Sequence, residues 1–490
     1  MKKILISVFV FLSSLLCFTG CYDAIFQSIR TEVELGDSTV TGFINGIVRF
    51  TPEGSTRQFL FVANGTIRVK DAAAQTSGLW YELSGLGLPN KVSYSYYDGS
   101  FSGEYIFKMA ADDKYVYALS YAPYYDEDKS RNIPKSLYLY ACKPTVNSSG
   151  ILDFSNGWHR VGEINDNLSK YMSAIDSSYY SMNASVLLFC TNAVQPGHRK
   201  AFIRIGGKTG YSYSTTDYLF NQSYWGVYEL NGSDTPKLLN FSTGYSGTYD
   251  DANKTSFVNN SVMGAVWFGG DILFTQYLNP VTNETADKDP TCVYMGNGEA
   301  LETFNLTSYQ NSSYTKNGKV HVHSNSDNTT VYYEGDFNLI KAYLASMTVT
   351  VTDESGNEST YSAGRPSAVS YIYYGGTIDS SICSLAVCSD YLLIGTGTDR
   401  SSGDGIFHVT LDSNGTPGLI TSSFATNADS VMCAPYIIRS LLNVDPSKKE
   451  VESTLYSSMD FIYTESTAGT TIEDRGLWSY YPTTLEWNRE

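Results

Sequence analysis

The sequence predicts an all-β chain folded as a β-propeller. Two observations carry that prediction: a composition suited to strands and turns, and a strand–turn–strand pattern that recurs along nearly the whole length. The 490 residues include 40 Tyr, 23 Phe and 41 Gly, and only 17% are charged. Aromatic side chains fit the pleated, half-buried surface of a sheet better than they fit a helix. A chain of this length buries a large core, and its composition does not suggest disorder.

The recurring element is a strand of the form Gly-apolar-aromatic. It occurs as Gly78-Leu79-Trp80-Tyr81, Gly226-Val227-Tyr228, Gly405-Ile406-Phe407 and Gly476-Leu477-Trp478, with looser versions at Ser136–Tyr140, Cys292–Met295 and Val331–Tyr333. In the clearest unit, Ile382–Val387 is followed by a Ser389-Asp390 turn, Tyr391–Thr396, a polar loop and Gly405–Leu411. Two more units read alike, one from Ile106 through Asp112-Asp113 to Ala141, the other from Val262 through Gly269-Gly270-Asp271 to Tyr277. Their strands are apolar nearly throughout rather than alternating, as expected of sheets covered on both faces. No single unit can bury two such faces alone, so the units must stack, and in a propeller they close into a ring.

From Gly78 to Gly476 is 398 residues, about 66 for each of six intervals and longer than the ~40–50 of common propeller repeats. Seven blades are counted, with six or eight as alternatives and a β-sandwich array as the rival architecture. The surplus length is expected in loops at Ala122–Pro134, Gly206–Tyr224 and Asn279–Pro290. Between 172 and 240 the pattern blurs, since both Ala201–Ile205 and Gly226–Leu230 could be a third strand. A Gly-Leu-Trp unit so near the end of the sequence suggests that strands within Thr41–Phe50 complete the last blade. The expected organisation is therefore a signal segment over 1–20, a tether over 21–40 and a propeller over 41–490.

The first segment has its own logic. Lys2 and Lys3 precede an apolar run from Ile4 to Leu16, followed by Phe18-Thr19-Gly20-Cys21. This is the layout of a secretory signal, too short to span a bilayer as a mature helix. The Phe-Thr-Gly-Cys ending resembles the lipobox of bacterial lipoproteins, with Phe18 where that family usually has Leu. The resemblance implies cleavage before Cys21, a diacylglycerol thioether on its sulfur and an acylated amino group. Two or three acyl chains at ~0.8 kcal/mol per buried methylene hold a protein stably at a membrane. By the sorting logic of that family, Tyr22 in place of Asp after the lipidated cysteine implies the outer rather than the inner membrane. Over the rest of the chain the resemblance is to propeller lipoproteins of bacterial envelopes, at the level of architecture. The sequence has no Gly-His…Trp-Asp pair, no double-glycine kelch signature and no Ser-x-Asp-x-Gly box.

Composition limits the partners. Loss of Lys2 and Lys3 with the signal takes the formal charge from -17 to -19. No basic cluster is present to neutralise phosphates, which argues against nucleic acid. Asn-x-Ser/Thr triplets, as at Asn64, Asn147 and Asn328, reflect a chain rich in those residues. Once Cys17 is removed and Cys21 lipidated, Cys142, Cys190, Cys292, Cys383, Cys388 and Cys433 remain. Several stand inside apolar runs, where a cysteine serves as a small buried side chain, so most are expected as free thiols. There is no Cys-x-x-Cys pair, and no cofactor is implied.

Three stretches could carry chemistry. His321 and His323 share one face of a strand and could reach one metal ion, but the remaining histidines, His159, His198 and His408, have no helpful spacing. Gly395-Thr396-Gly397-Thr398, leading into Asp399, lacks the Lys-Ser/Thr of a phosphate loop and reads as a blade connection. Tyr124-Tyr125-Asp126-Glu127-Asp128 joins aromatic rings to carboxylates, a combination suited to sugar stacking or to a protein partner. No Gly-x-Ser-x-Gly elbow nominates a nucleophile. The expected function is that of a lipid-anchored, non-catalytic envelope protein displaying loops to a protein or glycan partner. The alternative is an extracytoplasmic glycosidase or lyase with its site at the ring centre.

Overall fold

The computed structural model describes residues 40–95, 100–126, 131–174, 186–206, 226–239, 382–396, 405–411, 417–421, 437–460 and 476–490, apart from single residues and stretches of up to four within them, together with residues 426 and 428 and the backbone of the strands between 262 and 373. Among the described residues stand seven four-stranded antiparallel sheets, blades 1 to 7, lying within 47–83, 105–160, 186–238, 262–305, 318–373, 382–421 and 437–489. In all but blades 2 and 5 the four strands are consecutive in sequence; blade 2 takes its fourth strand, His159–Arg160, from beyond a short hairpin of Thr145–Val146 and Leu152–Asp153. Blade 5 takes its fourth strand, Val369–Tyr373, from beyond an inserted hairpin of Ser346–Thr352 and Glu358–Gly364.

The first strand of every blade lies beside the first strand of the next. The series runs Ile47–Phe50, Tyr105–Ala111, Val186–Cys190, Val262–Phe268, Gly318–Asn325, Ile382–Val387 and Ile437–Asn443, and the last of these lies beside Ile47–Phe50 again. The sheets therefore close into a circle around their first strands. Four of those strands carry a bulge near their start, between Ile106 and Lys108, Val262 and Gly264, Ile382 and Ser384, and Ile438 and Ser440. An extra residue at a constant place bends the strand and raises its twist, which suits sheets splayed about an axis.

Packing explains the apolar strands. In Phe59–Ala63 of blade 1, Phe59, Phe61 and Ala63 join a core shared with Ile106, Met109 and Val116 of blade 2. Leu60 and Val62 face the other way, onto Leu442, Tyr456 and Leu477 of blade 7. Alternate residues serve opposite neighbours, so the run Phe-Leu-Phe-Val-Ala has no polar side. Between blades 2 and 3 the core also takes in Ile164, Leu168 and Tyr171 of Gly162–Ala174, the one α-helix among the described residues. Asn165 fixes this helix to the sheet by accepting from the Leu139 N–H at 2.8 Å and donating to the Leu139 carbonyl at 2.9 Å.

The structure corrects several expectations. The Gly-apolar-aromatic strand or its looser version is the third strand in blades 2, 3, 4, 6 and 7, but Tyr81–Leu83 is the fourth of blade 1 and the Val331–Tyr333 motif falls in the second of blade 5. Ala201–Ile205 and Gly226–Glu229 are the second and third strands of one blade, which resolves the blurred region. The segment 41–50 does not complete blade 7, whose fourth strand is its own Glu486–Arg489. Ile47–Phe50 instead opens blade 1. Val40 and Thr41 bond to blade 7: the Val40 N–H donates to the Glu490 carbonyl at 3.0 Å, and the Leu477 N–H to the Val40 carbonyl at 3.0 Å. Gly476, opposite Thr41, has φ +134°, and a Cβ there would stand 2.4 Å from the Val40 oxygen. Of the residues 122–134, expected as a loop, 122–126 and 131–134 pair as two strands, and 127–130 lie outside the described residues. Of the other two expected loops, 279–290 lies outside the described residues, as does 207–224 of the other.

Candidate functional site

The described strands place the candidate side chains as follows. Cys21 lies outside the described residues. His321 and His323 stand in Gly318–Asn325 opposite Tyr332 and Thr330, with their side chains outside the described set. The Gly395 stretch begins at the end of Tyr391–Thr396, and 397–404 lies outside. Among the described residues no group of three or more His, Cys, Asp or Glu could hold a metal ion.

Tyr124, Tyr125 and Asp126 belong to a strand, Val116–Asp126, the second of blade 2. Its partner is Arg131–Cys142, and the two pair from Val116–Cys142 out to Asp126–Arg131. The first strand of the blade reaches only to Tyr105, opposite Tyr121. The five residues 122–126 therefore run past it, about 17 Å at strand rise. A strand forms here because Tyr has high sheet propensity and the polar side chains of a two-sided, solvated ribbon need no core. Pro123 faces Pro134 across the ladder, and neither has an N–H to offer an incoming strand. Glu127 and Asp128 lie outside the described residues.

Strand geometry separates the two tyrosines. Adjacent residues point to opposite faces, so Tyr124 and Tyr125, 47% and 44% exposed, cannot stack on one ring together. The ammonium of Lys135 lies 5.3 Å from the Tyr124 ring centre. At the root of the hairpin, Glu104 is nearly buried and accepts from the Ser120 hydroxyl at 2.5 Å, the Tyr140 hydroxyl at 3.0 Å and Arg160 at 3.0 Å. Arg160 stacks on Tyr138 with its central carbon 3.9 Å from the ring centre, while its side chain stays 52% exposed. Burial pushes the Tyr140 hydroxyl up to about 12, with Arg160 opposing the shift. The result is a guanidinium held in one orientation beside tyrosine faces, the residue types that dominate contact surfaces. The pattern Tyr-x-Tyr at 138–140 indicates by itself only a strand, because the partners Glu104 and Arg160 lie 36 and 20 residues from Tyr140.

A second polar group is wholly enclosed. His408, in the third strand of blade 6, meets Glu450 at 3.1 Å between Nε2 and Oε2, and both side chains are fully buried. The Thr426 hydroxyl donates to Glu450 at 2.6 Å, the Glu450 N–H to Asp390 at 2.8 Å, and the His408 ring stacks on Tyr391 at 4.4 Å. Glu450 lies in the connection after the first strand of blade 7, so the group braces blade 6 against blade 7. Free Cys388 packs into the same region, accepting from Asn443 at 3.3 Å, and burial drives its thiol well up.

No protein family profile matches the chain. No curated protein matches it either. Among solved structures, the chain is similar to the β-propeller domain of Myceliophteria thermophila Cps50 (Swd1), at 9% identity and TM-score 0.39, over 86% of this chain and 96% of that one. It is also similar to a structure from work on two prolyl endopeptidases, at 9% identity and TM-score 0.37. That match covers 97% of this chain and 53% of the other, about half its length. U3-55K matches at 10% identity and TM-score 0.36, over 90% of this chain and 95% of that one. By the order and closure of its own sheets, with seven among the described residues, the chain is a β-propeller.

Proposed function

We propose that the chain is a lipid-anchored protein of the bacterial cell envelope, held at the outer membrane through Cys21, that binds a protein or glycan partner without catalysing a reaction. The blade 2 hairpin is the contact surface. The observation that carries this reading is the extension of residues 122–126 past the first strand, with both tyrosines nearly half exposed. Large aromatic rings held out on a paired ribbon do nothing for the core and lose little entropy on contact.

The path of the chain supports the same reading. The Thr41 carbonyl accepts from the Asn64 side chain at 2.6 Å, in the turn between the second and third strands of blade 1. Gly65 of that turn pairs with Ile106, near the start of the first strand of blade 2. The lead-in at Val40–Thr41 and the hairpin are therefore on one face of the ring. The 19 residues 22–40 could span up to about 65 Å when extended, enough to let that face meet a partner near the membrane.

The test is recovery of a partner from detergent-solubilised envelopes by wild type and by Tyr124→Ala and Tyr125→Ala. Retention of one partner by wild type and its loss from either variant supports the reading. Substrate turnover by purified protein, with no partner retained, rejects it. Palmitate labelling of wild type against Cys21→Ser tests the anchor separately.

A further inference from the structure

On the opposite face, where first strands end, the ring mouth gathers charge from consecutive blades. Arg49, next to last in Ile47–Phe50, is 5% exposed. It donates to the carbonyls of Asn443, at 2.6 Å, and Val444, at 3.3 Å, where the first strand of blade 7 ends. Its Nε is buried and has no hydrogen-bond partner. Arg199, 3% exposed and just before the second strand of blade 3, donates to the Thr51 carbonyl of blade 1 at 3.4 Å. Its Nε stands 3.5 Å from Asp113, in the first turn of blade 2. One side chain thus reaches from blade 1 to blade 7, and another from blade 3 to blade 1. Such spans are short only close to the axis of a ring.

Charge at this mouth does not balance around Arg49. Burial pulls its guanidinium down to about 10, and neighbouring Arg199 acts in the same direction. Asp445 and Cys190 act the other way without touching it, and Asp445 is engaged by Ser447 at 2.6 Å and lies 3.8 Å from Lys448. A cation taken out of water and met only by two carbonyls is costly unless an anion joins it. Guanidinium N–H groups are well matched to the oxygens of such an anion.

We propose that this mouth is a binding site for one small oxyanion, held between the guanidinium groups of Arg49 and Arg199. The site is independent of the hairpin and its partner. The full mature chain, in a buffer poor in oxyanions, is titrated with inorganic phosphate and followed by calorimetry and thermal unfolding. The expected result is one saturable site and a rise in Tm that chloride at equal ionic strength does not produce. Arg199→Gln weakens phosphate at least tenfold. Cys190→Asp places a carboxylate beside Arg49, so it raises Tm without phosphate and abolishes the phosphate response, which keeps the test decisive if Arg199→Gln folds poorly. An equal rise with chloride, or unchanged phosphate affinity in Cys190→Asp, overturns the proposal.

Discussion

The ammonium of Lys70 lies 2.7 Å from a carboxylate oxygen of Glu490, and neither side chain is exposed to solvent. Lys70 belongs to the third strand of blade 1, whereas Glu490 follows the fourth strand of blade 7. The pair is fully dressed: Lys70 also donates to the Thr76 carbonyl at 2.7 Å, and Glu490 accepts from the Trp80 indole at 2.6 Å and from the Tyr481 hydroxyl. The rings of Tyr481, Tyr456 and Trp80 surround the ammonium at 5.1, 5.6 and 5.9 Å. First and last blades are thus joined by a desolvated ion pair inside an aromatic cage.

Removing one partner of that pair leaves a buried charge uncompensated. Lys70→Met and Glu490→Gln are each expected to cost about 3–5 kcal/mol in urea unfolding. Replacing both by apolar residues is expected to recover most of the loss, because two apolar groups need no counter-charge. A double variant as unstable as the sum of the singles would show that the cage, not the pair, closes the ring.

Gly476→Ala tests the other part of the closure. The residue has φ +134°, and the added methyl would stand 2.4 Å from the Val40 oxygen, so both backbone strain and a clash with Val40 follow. A loss of about 1–3 kcal/mol in thermal unfolding is expected. Gly42→Ala is the control: φ is +84° there, but nothing lies within 4 Å of the added carbon. It should cost less.

Stability should depend on pH through Lys108. Burial, helped by Arg204, brings its ammonium down to about 7 from an ordinary value of 10.5. Between those two values the unfolded chain holds a proton that the folded chain does not, so unfolding free energy rises with pH over this window. Going down in pH, that contribution shrinks and is gone below about 7. Lys108→Met should therefore be the more stable protein at pH 6 and should lose most of its advantage by pH 10. Parallel Tm curves for the two proteins would refute this.

Cys142 should resist thiol reagents. It is a buried free thiol whose surroundings push it up to about 12, chiefly through burial, with Asp153 adding to the effect. Since the thiolate is the reactive form, iodoacetamide at pH 8 should leave the Cys142 peptide unmodified in the native protein and modify it in urea, as read by mass spectrometry.

Local pattern was enough to find most blades. Ile382–Val387, Tyr391–Thr396 and Ile406–Leu411 are each apolar across both faces, because each sheet lies between two others, and such runs stand out in one dimension. The expectation of a buried thiol at Cys388 rests on the same signal, whereas Cys190, at the end of a similar run, is free but only partly buried. Position within a blade was less legible: Gly-Leu-Trp-Tyr at 78–81 resembles Gly-Leu-Trp-Ser at 476–479, yet one leads into an outer strand with Tyr81 exposed and the other is a buried third strand. Exposure there depends on which neighbour covers the strand, not on the strand's own residues.

What the sequence determined alone was therefore the all-β class, the repetition and the approximate blade count, all of which follow from short-range hydrophobic order. Tertiary structure decided how the ring closes, where Arg49 is stranded, and that Tyr124 and Tyr125 lie on opposite faces of a hairpin. Lys70 and Glu490 are 420 positions apart, and Arg49 and Asn443 are 394 apart. Groups at such separations meet only after every intervening sheet has stacked, so no local window contains the information that joins them.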